Sequence, residues 1–138
     1  EASHAEGYQT LASGRNAHSE GRVTKATGDK SHAEGWNTIA SGDSQHVQGK
    51  FNIVDENGNA GDYAHIVGNG SSATKRSNAH TLDWSGNAWY AGNIYVGGTS
   101  QDDTSASKLI SESDILITIE EIDEICGGNI VAASEVTY

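Results

Sequence analysis

The sequence predicts an all-β fold: a parallel β-roll, or solenoid, of fourteen-residue coils, followed by a β-rich cap and a short C-terminal helix plus strand. Three observations predict it. First, His4, His18, His32 and His46 stand fourteen residues apart, as do Gly7, Gly21, Gly35 and Gly49, with Gly14, Gly28 and Gly42 between them. Thr10, Thr24 and Thr38 keep the step, and so do Ala12, Ala26 and Ala40, giving the unit Ser-His-Ala-Glu-Gly-x-x-Thr-x-Ala-Ser-Gly-x-x. Second, a glycine every seven residues would weaken a helix by roughly 1 kcal/mol each time. Third, the residues between glycines alternate: His32 and Glu34 share one face of an extended chain, Ser31 and Ala33 the other. Each repeat therefore reads as two short strands with turns at the Gly-x-x segments, stacked in parallel on the next repeat at about 4.8 Å.

The interior of such a coil is narrow. Its regular candidates are Ala5, Ala12, Ala26, Ala33 and Ala40, with Ser and Thr beside them. At about 25 cal/mol per Å² these bury too little apolar area to offset the ordering of the backbone. Only 35% of the 138 residues are hydrophobic, below the usual range for globular domains. A second face must therefore be buried, and the sequence predicts an obligate homo-oligomer. The absence of Met and the start at Glu1 suggest a fragment of a longer polypeptide.

A net charge of −11 argues against nucleic acid, which needs clustered Lys and Arg. No apolar run is long enough to span a bilayer, so no membrane insertion is expected in this segment. The single Cys126 excludes an intrachain disulfide framework and reads as a small apolar residue near a helix end.

Three regions follow in order. Residues 1–62 hold the repeat and a loop insertion: Phe51, Ile53 and Val54 read as a continuing strand, and residues 55–62 as a turn or loop. The acidic spacing there misses the EF-hand pattern, with Ala60 where Gly is needed and Ile66 where Glu is needed. Residues 63–100 hold a degenerate repeat and an aromatic cap. Ala64-His65-Ile66-Val67-Gly68 echoes Ser31-His32-Ala33-Glu34-Gly35, and Asn78-Ala79-His80 follows, so all six histidines occupy one repeat position or its echo. Trp84, Trp89, Tyr90 and Tyr95, among Gly-Asn turns, read as a hairpin or short meander. Residues 101–138 change character: nine acids and one base stand in 100–138, against ten and seven in 1–99. They read as an acidic linker, a helix over Ile119–Cys126 with Thr118 and Glu121 as capping box, and a final strand over Asn129–Thr137. The spacing of Ile115, Ile119, Ile122 and Cys126 fits a short coiled-coil seam, of the kind that favours three or four strands.

His4/Glu6, His18/Glu20 and His32/Glu34 form a repeated His-x-Glu pair on one strand face, and His46/Gln48 keeps a hydrogen-bonding group. Imidazole with carboxylate suits zinc or nickel. Recurrence in every coil favours instead a structural ladder in which imidazoles bond carboxylates across or along the sheet, so no metal and no cofactor is expected. Neither a nucleophile elbow nor a phosphate-binding glycine loop is present, and no catalytic residue is assigned.

On these residues the repeat resembles the head repeat of YadA-like trimeric autotransporter adhesins, a left-handed parallel β-roll. In that repeat two aliphatic residues stand where this chain has His4, His18, His32, His46 and Glu6, Glu20, Glu34, Gln48. The resemblance implies a tight homotrimer, with His4, Glu6, His18, Glu20, His32, Glu34, His46, Gln48, His65 and His80 as its interface ladder. The His-Ala-Glu-Gly variant, followed by the stretch from Ser77 to Gly92, looks more like tail-fibre or appendage proteins of phages and prophages of Gram-positive bacteria.

The functional expectation is a structural and adhesive module of a trimeric extracellular fibre, on a virion tail or a bacterial surface, attaching to a host surface glycan or protein. One alternative is a carbohydrate-binding module with Trp84, Trp89, Tyr90 and Tyr95 as glycan contacts; another is part of an autoproteolytic fibre chaperone. Interfacial histidines predict a stability that changes between about pH 5 and 7, without fixing its direction.

Overall fold

The computed structural model describes residues 2–56, 61–96 and 107–108. The expected acidic linker, the helix at Ile119–Cys126 with its seam, and the strand at Asn129–Thr137 lie outside them. Strands β1 (His4–Tyr8) and β2 (Leu11–Ala12) make the first coil. β3 (His18–Arg22) and β4 (Lys25–Ala26) make the second, β5 (His32–Trp36) and β6 (Ile39–Ala40) the third, and β7 (His46–Lys50) opens a fourth. Then come β8 (Tyr63–Asn69), β9 (Asn78–Asp83) and β10 (Ala88–Tyr90). In a second compact unit, residues 93–138, β11 (Tyr95–Val96) pairs antiparallel with β12 (Ser107–Lys108).

The long strands form one seven-stranded sheet in the order β1-β3-β5-β7-β8-β9-β10, and the short ones a three-stranded sheet, β2-β4-β6. Pairing is parallel and in strict repeat register from β1 to β8: His4 lies beside His18, His18 beside His32, His32 beside His46, and His46 beside His65. The chain is thus an all-β parallel solenoid with fourteen-residue spacing, and no helix occurs among the described residues. The echo at Asn78-Ala79-His80 joins the same sheet with the chain direction reversed, since β8, β9 and β10 are antiparallel.

The two glycines of each coil do different work. Gly21 and Gly35 have φ of 106° and 102°, backbone that a side chain would strain. Gly28 instead lies so close to the next coil that a Cβ would run into the carbonyl of Gly42. Two further corners use left-handed residues with side chains, including Asn37, Lys30 and Val23.

The core is one residue wide. Ala17, Ala26, Ala33, Ala40, Val47 and Ile66 form it, widening from Ala to Ile toward β8. Ala5 is exposed, contrary to expectation, because β1 is the outer strand and only one side of it is covered; Ala12 is half-buried. Buried polar groups satisfy one another: Ser19 Oγ and Thr24 Oγ1 lie 2.8 Å apart, and Thr38 Oγ1 donates to the Glu34 carbonyl at 2.9 Å.

Where the repeat stops, amides and a carboxylate take over. β7 ends at Lys50 and Phe51 turns at φ 44°, so Phe51, Ile53 and Val54 do not continue the strand as expected. Asn52, one step after Thr38, accepts from Ile39 N at 2.8 Å and donates to Ile39 O and Ile53 O. Gln45 accepts from Ser41 N and Gly42 N and donates to Asp55 Oδ2 and the Tyr63 carbonyl. The Asp55 carboxylate also accepts from Asp62 N at 2.6 Å and Tyr63 N at 3.0 Å, closing the loop at its base. Arg76 crosses back to the corner, donating to the carbonyls of Asn37 and Asn52 and to Asn37 Oδ1.

Candidate functional site

Side-chain alternation builds the site. In β3, β5 and β7 the middle residue of His-x-Glu or His-x-Gln points inward and is fully buried, which leaves His and Glu half-buried on the outer face. Parallel in-register pairing then stacks like on like. The imidazole centroids of His4 and His18 are 5.0 Å apart, those of His18 and His32 4.7 Å, and those of His32 and His46 4.8 Å, with the rings within 24° of parallel. His65 continues the column at 5.2 Å, tilted, and His80 at 5.7 Å, edge-on, and Tyr90 closes it 4.4 Å from His80. Ten ladder residues expected from the repeat are therefore on one sheet, with Glu6, Glu20 and Glu34 in a parallel carboxylate column.

Pairing runs between coils. His46 Nε2 lies 3.3 Å from Glu34 Oε1, and His65 Nε2 lies 3.1 Å from Gln48 Nε2, so each imidazole bonds the acceptor or amide of the preceding strand. The pairing is incomplete. His32 Nε2 stands 3.8 Å from Glu20 Oε1, beyond hydrogen-bond reach. The Nε2 atoms of His18 and His32 are covered and have no hydrogen-bond partner. Around these two rings the carboxylates gather: one ligand atom each from Glu6, His18 and Glu20, and likewise from Glu20, His32 and Glu34, lie within 4.8 Å of one another.

Burial lowers the His32 pKa, aided by the neighbouring His46 and His18 and opposed by Glu34 and Glu20. Burial also lowers that of His65, aided by His46 and His80 and opposed by Glu34. Both imidazoles are neutral at neutral pH.

The aromatic cap is divided. Tyr90 belongs to the imidazole column, whereas Trp89 pairs with Thr81 on the other face of the sheet and lines a cavity of about 400 Å³ with Ile53, Tyr63, Asn78 and Asp83. Trp84 sits in the β9–β10 turn, which Asp83 holds by accepting from Ser85 N and Asn87 N. Tyr95 belongs to the second unit.

A further ladder escaped the sequence reading. Tyr8, Arg22, Trp36 and Lys50 pair in register, and the Arg22 guanidinium lies 6.0 Å from the Tyr8 ring and 5.4 Å from the Trp36 ring. The signal was the same fourteen-residue step, hidden because residue type changes while position does not. Compared with protein-family models, curated proteins and solved structures, the chain matches none, so its own geometry carries the functional reading.

Proposed function

We propose that this chain is a structural and adhesive module of a homotrimeric extracellular fibre, of the kind built by phage or prophage tails and by bacterial surface adhesins. The observation that carries the reading is the in-register roll with a core one side chain wide, mostly Ala, beside a sheet face whose His and Glu side chains are only half covered. Such a coil supplies little hydrophobic stabilisation of its own. Large apolar groups also stand exposed on the same unit, among them Tyr8, Leu11, Trp36 and Ile53. Packing rolls side by side would cover these faces, with the ladder as a polar interface that sets register between chains. Light scattering of the full chain at micromolar concentration and neutral pH tests this: a trimer mass is expected, and a monomer mass would overturn it.

The cavity beside Trp89 favours a second reading, in which the module binds a surface glycan there. A half-exposed indole beside Asn78 and Asp83 offers a stacking platform with polar groups at its edge. Glycan-array signal that disappears in Trp89→Ala with folding intact would support it, and a blank array for the parent chain would remove it.

A further inference from the structure

We propose that the ladder face binds a divalent transition-metal ion of the zinc class, held by the His32 imidazole and the carboxylates of Glu20 and Glu34, with Glu6, His18 and Glu20 as an overlapping second position. All the ligands belong to one chain, so a single roll suffices to form the site, which lies on the face proposed above to pack between rolls.

Two independent features coincide on these residues. The first is donor geometry. Glu20, His32 and Glu34 bring one nitrogen and two oxygens within 4.8 Å of one another, and Glu6, His18 and Glu20 do the same. The second is an unmet bonding requirement. Among the described residues, the covered side-chain polar atoms with no hydrogen-bond partner are the Nε2 atoms of His18 and His32, the histidines of these two groups. One coil further on, where His46 meets Glu34 at 3.3 Å, the imidazole is bonded and no such group forms. A covered imidazole nitrogen beside two carboxylates lacks an electrophile, and a metal ion supplies one.

Charge argues the same way. Glu6, Glu20 and Glu34 lie directly opposite one another in register, an arrangement that like charges destabilise. No Lys or Arg pairs with them among the described residues.

Access is open. In the single roll the carboxylates border a shallow groove whose other walls are Gly7, Gly21 and Gly35. The Glu20 and Glu34 side chains are each about one-third exposed. The nitrogen ligand selects zinc, nickel or copper over calcium or magnesium, which prefer oxygen alone. Recurrence along the roll is no objection, since stacked repeats can build ion sites coil by coil.

The test is calorimetric titration of the full chain with ZnCl2 and, separately, MgCl2. Saturable Zn²⁺ binding of at least one ion per chain is expected, with a rise in thermal midpoint and no comparable Mg²⁺ binding. Glu20→Gln, which alters both groups, should weaken Zn²⁺ binding about tenfold or more. The His18→Gln/His32→Gln pair should do the same while leaving every carboxylate in place, and His46→Gln should retain binding. Far-UV circular dichroism checks folding, and if the double variant does not fold, Glu20→Gln followed by the visible spectrum of bound Co²⁺ decides. No saturable Zn²⁺ binding at millimolar concentration overturns the proposal. So does binding that survives Glu20→Gln unchanged, or Mg²⁺ binding equal to that of Zn²⁺.

Discussion

Val23 turns a corner at φ 60°, where its equivalents Gln9 and Asn37 carry unbranched side chains at φ 54°. A β-branched residue in this region is strained, and the left-handed conformation costs roughly 1–2 kcal/mol for an L-residue that is not Gly, Asn or Asp. The corner persists because Val23 N donates to the Tyr8 carbonyl at 2.8 Å and the coil on either side fixes it. Val23→Asn keeps that bond and removes the strain. It is expected to stabilise the chain by about 1 kcal/mol, measured by urea denaturation; an unchanged or lower midpoint would contradict this account. The same position shows what the sequence could not reveal. Its identity varies from copy to copy as Gln9, Val23, Asn37 and Phe51, yet all four adopt positive φ. Only the period marks them as corners, because the backbone there is dictated by the coil and not by the residue.

Among elements, the fourteen-residue coil was legible and the details that depend on contact were not. Glycine spacing and alternation gave the two strands per coil and the outward His and Glu, and the structure places them so. Phe51 to Val54 misled because apolar residues need not mean a strand: Phe51 is a buried corner, Ile53 is exposed, and Ile53 N donates to the Asn78 side chain instead of to a neighbouring strand. The reversal of β9 was hidden because His80 meets the column from either chain direction. The two orphan imidazole nitrogens were beyond sequence altogether, since distances within a rung separate a bonded pair from an open one. The two glycine roles make a sharp prediction at this scale. Gly28→Ala puts a methyl group against the Gly42 carbonyl, and neither backbone can yield without opening the stack. Loss of several kcal/mol or of the cooperative transition is expected in thermal melts. Near-wild-type melting would show that the coils can separate there.

At the scale of the whole molecule, acidification should destabilise the roll. Burial and the neighbouring His46 and His80 hold the His65 pKa below its ordinary 6.5 in the folded chain. The unfolded chain therefore binds protons first. The stabilising contribution is complete above about pH 6.5 and is lost as pH falls from there through the lowered value. With EDTA present, the thermal midpoint is expected to fall between about pH 7 and 5. His65→Gln should make that decline shallower, and an identical slope in parent and variant would exclude His65 as its source.

The strict register of β1 to β7 has a consequence for how such a chain can change in length. Ala17 precedes His18 as Ser31 precedes His32, so removing residues 18–31 rejoins the chain at an equivalent point, with every rung still facing its like. Excising that coil should leave a folded chain one rung shorter, whereas deleting residues 18–24 should abolish the transition, since glycines of opposite roles would then be stacked; circular dichroism melts distinguish the two. Whole-copy gain and loss is thus a nearly neutral edit to the fold, and the reach of the roll is a heritable quantity that moves in steps of one strand spacing.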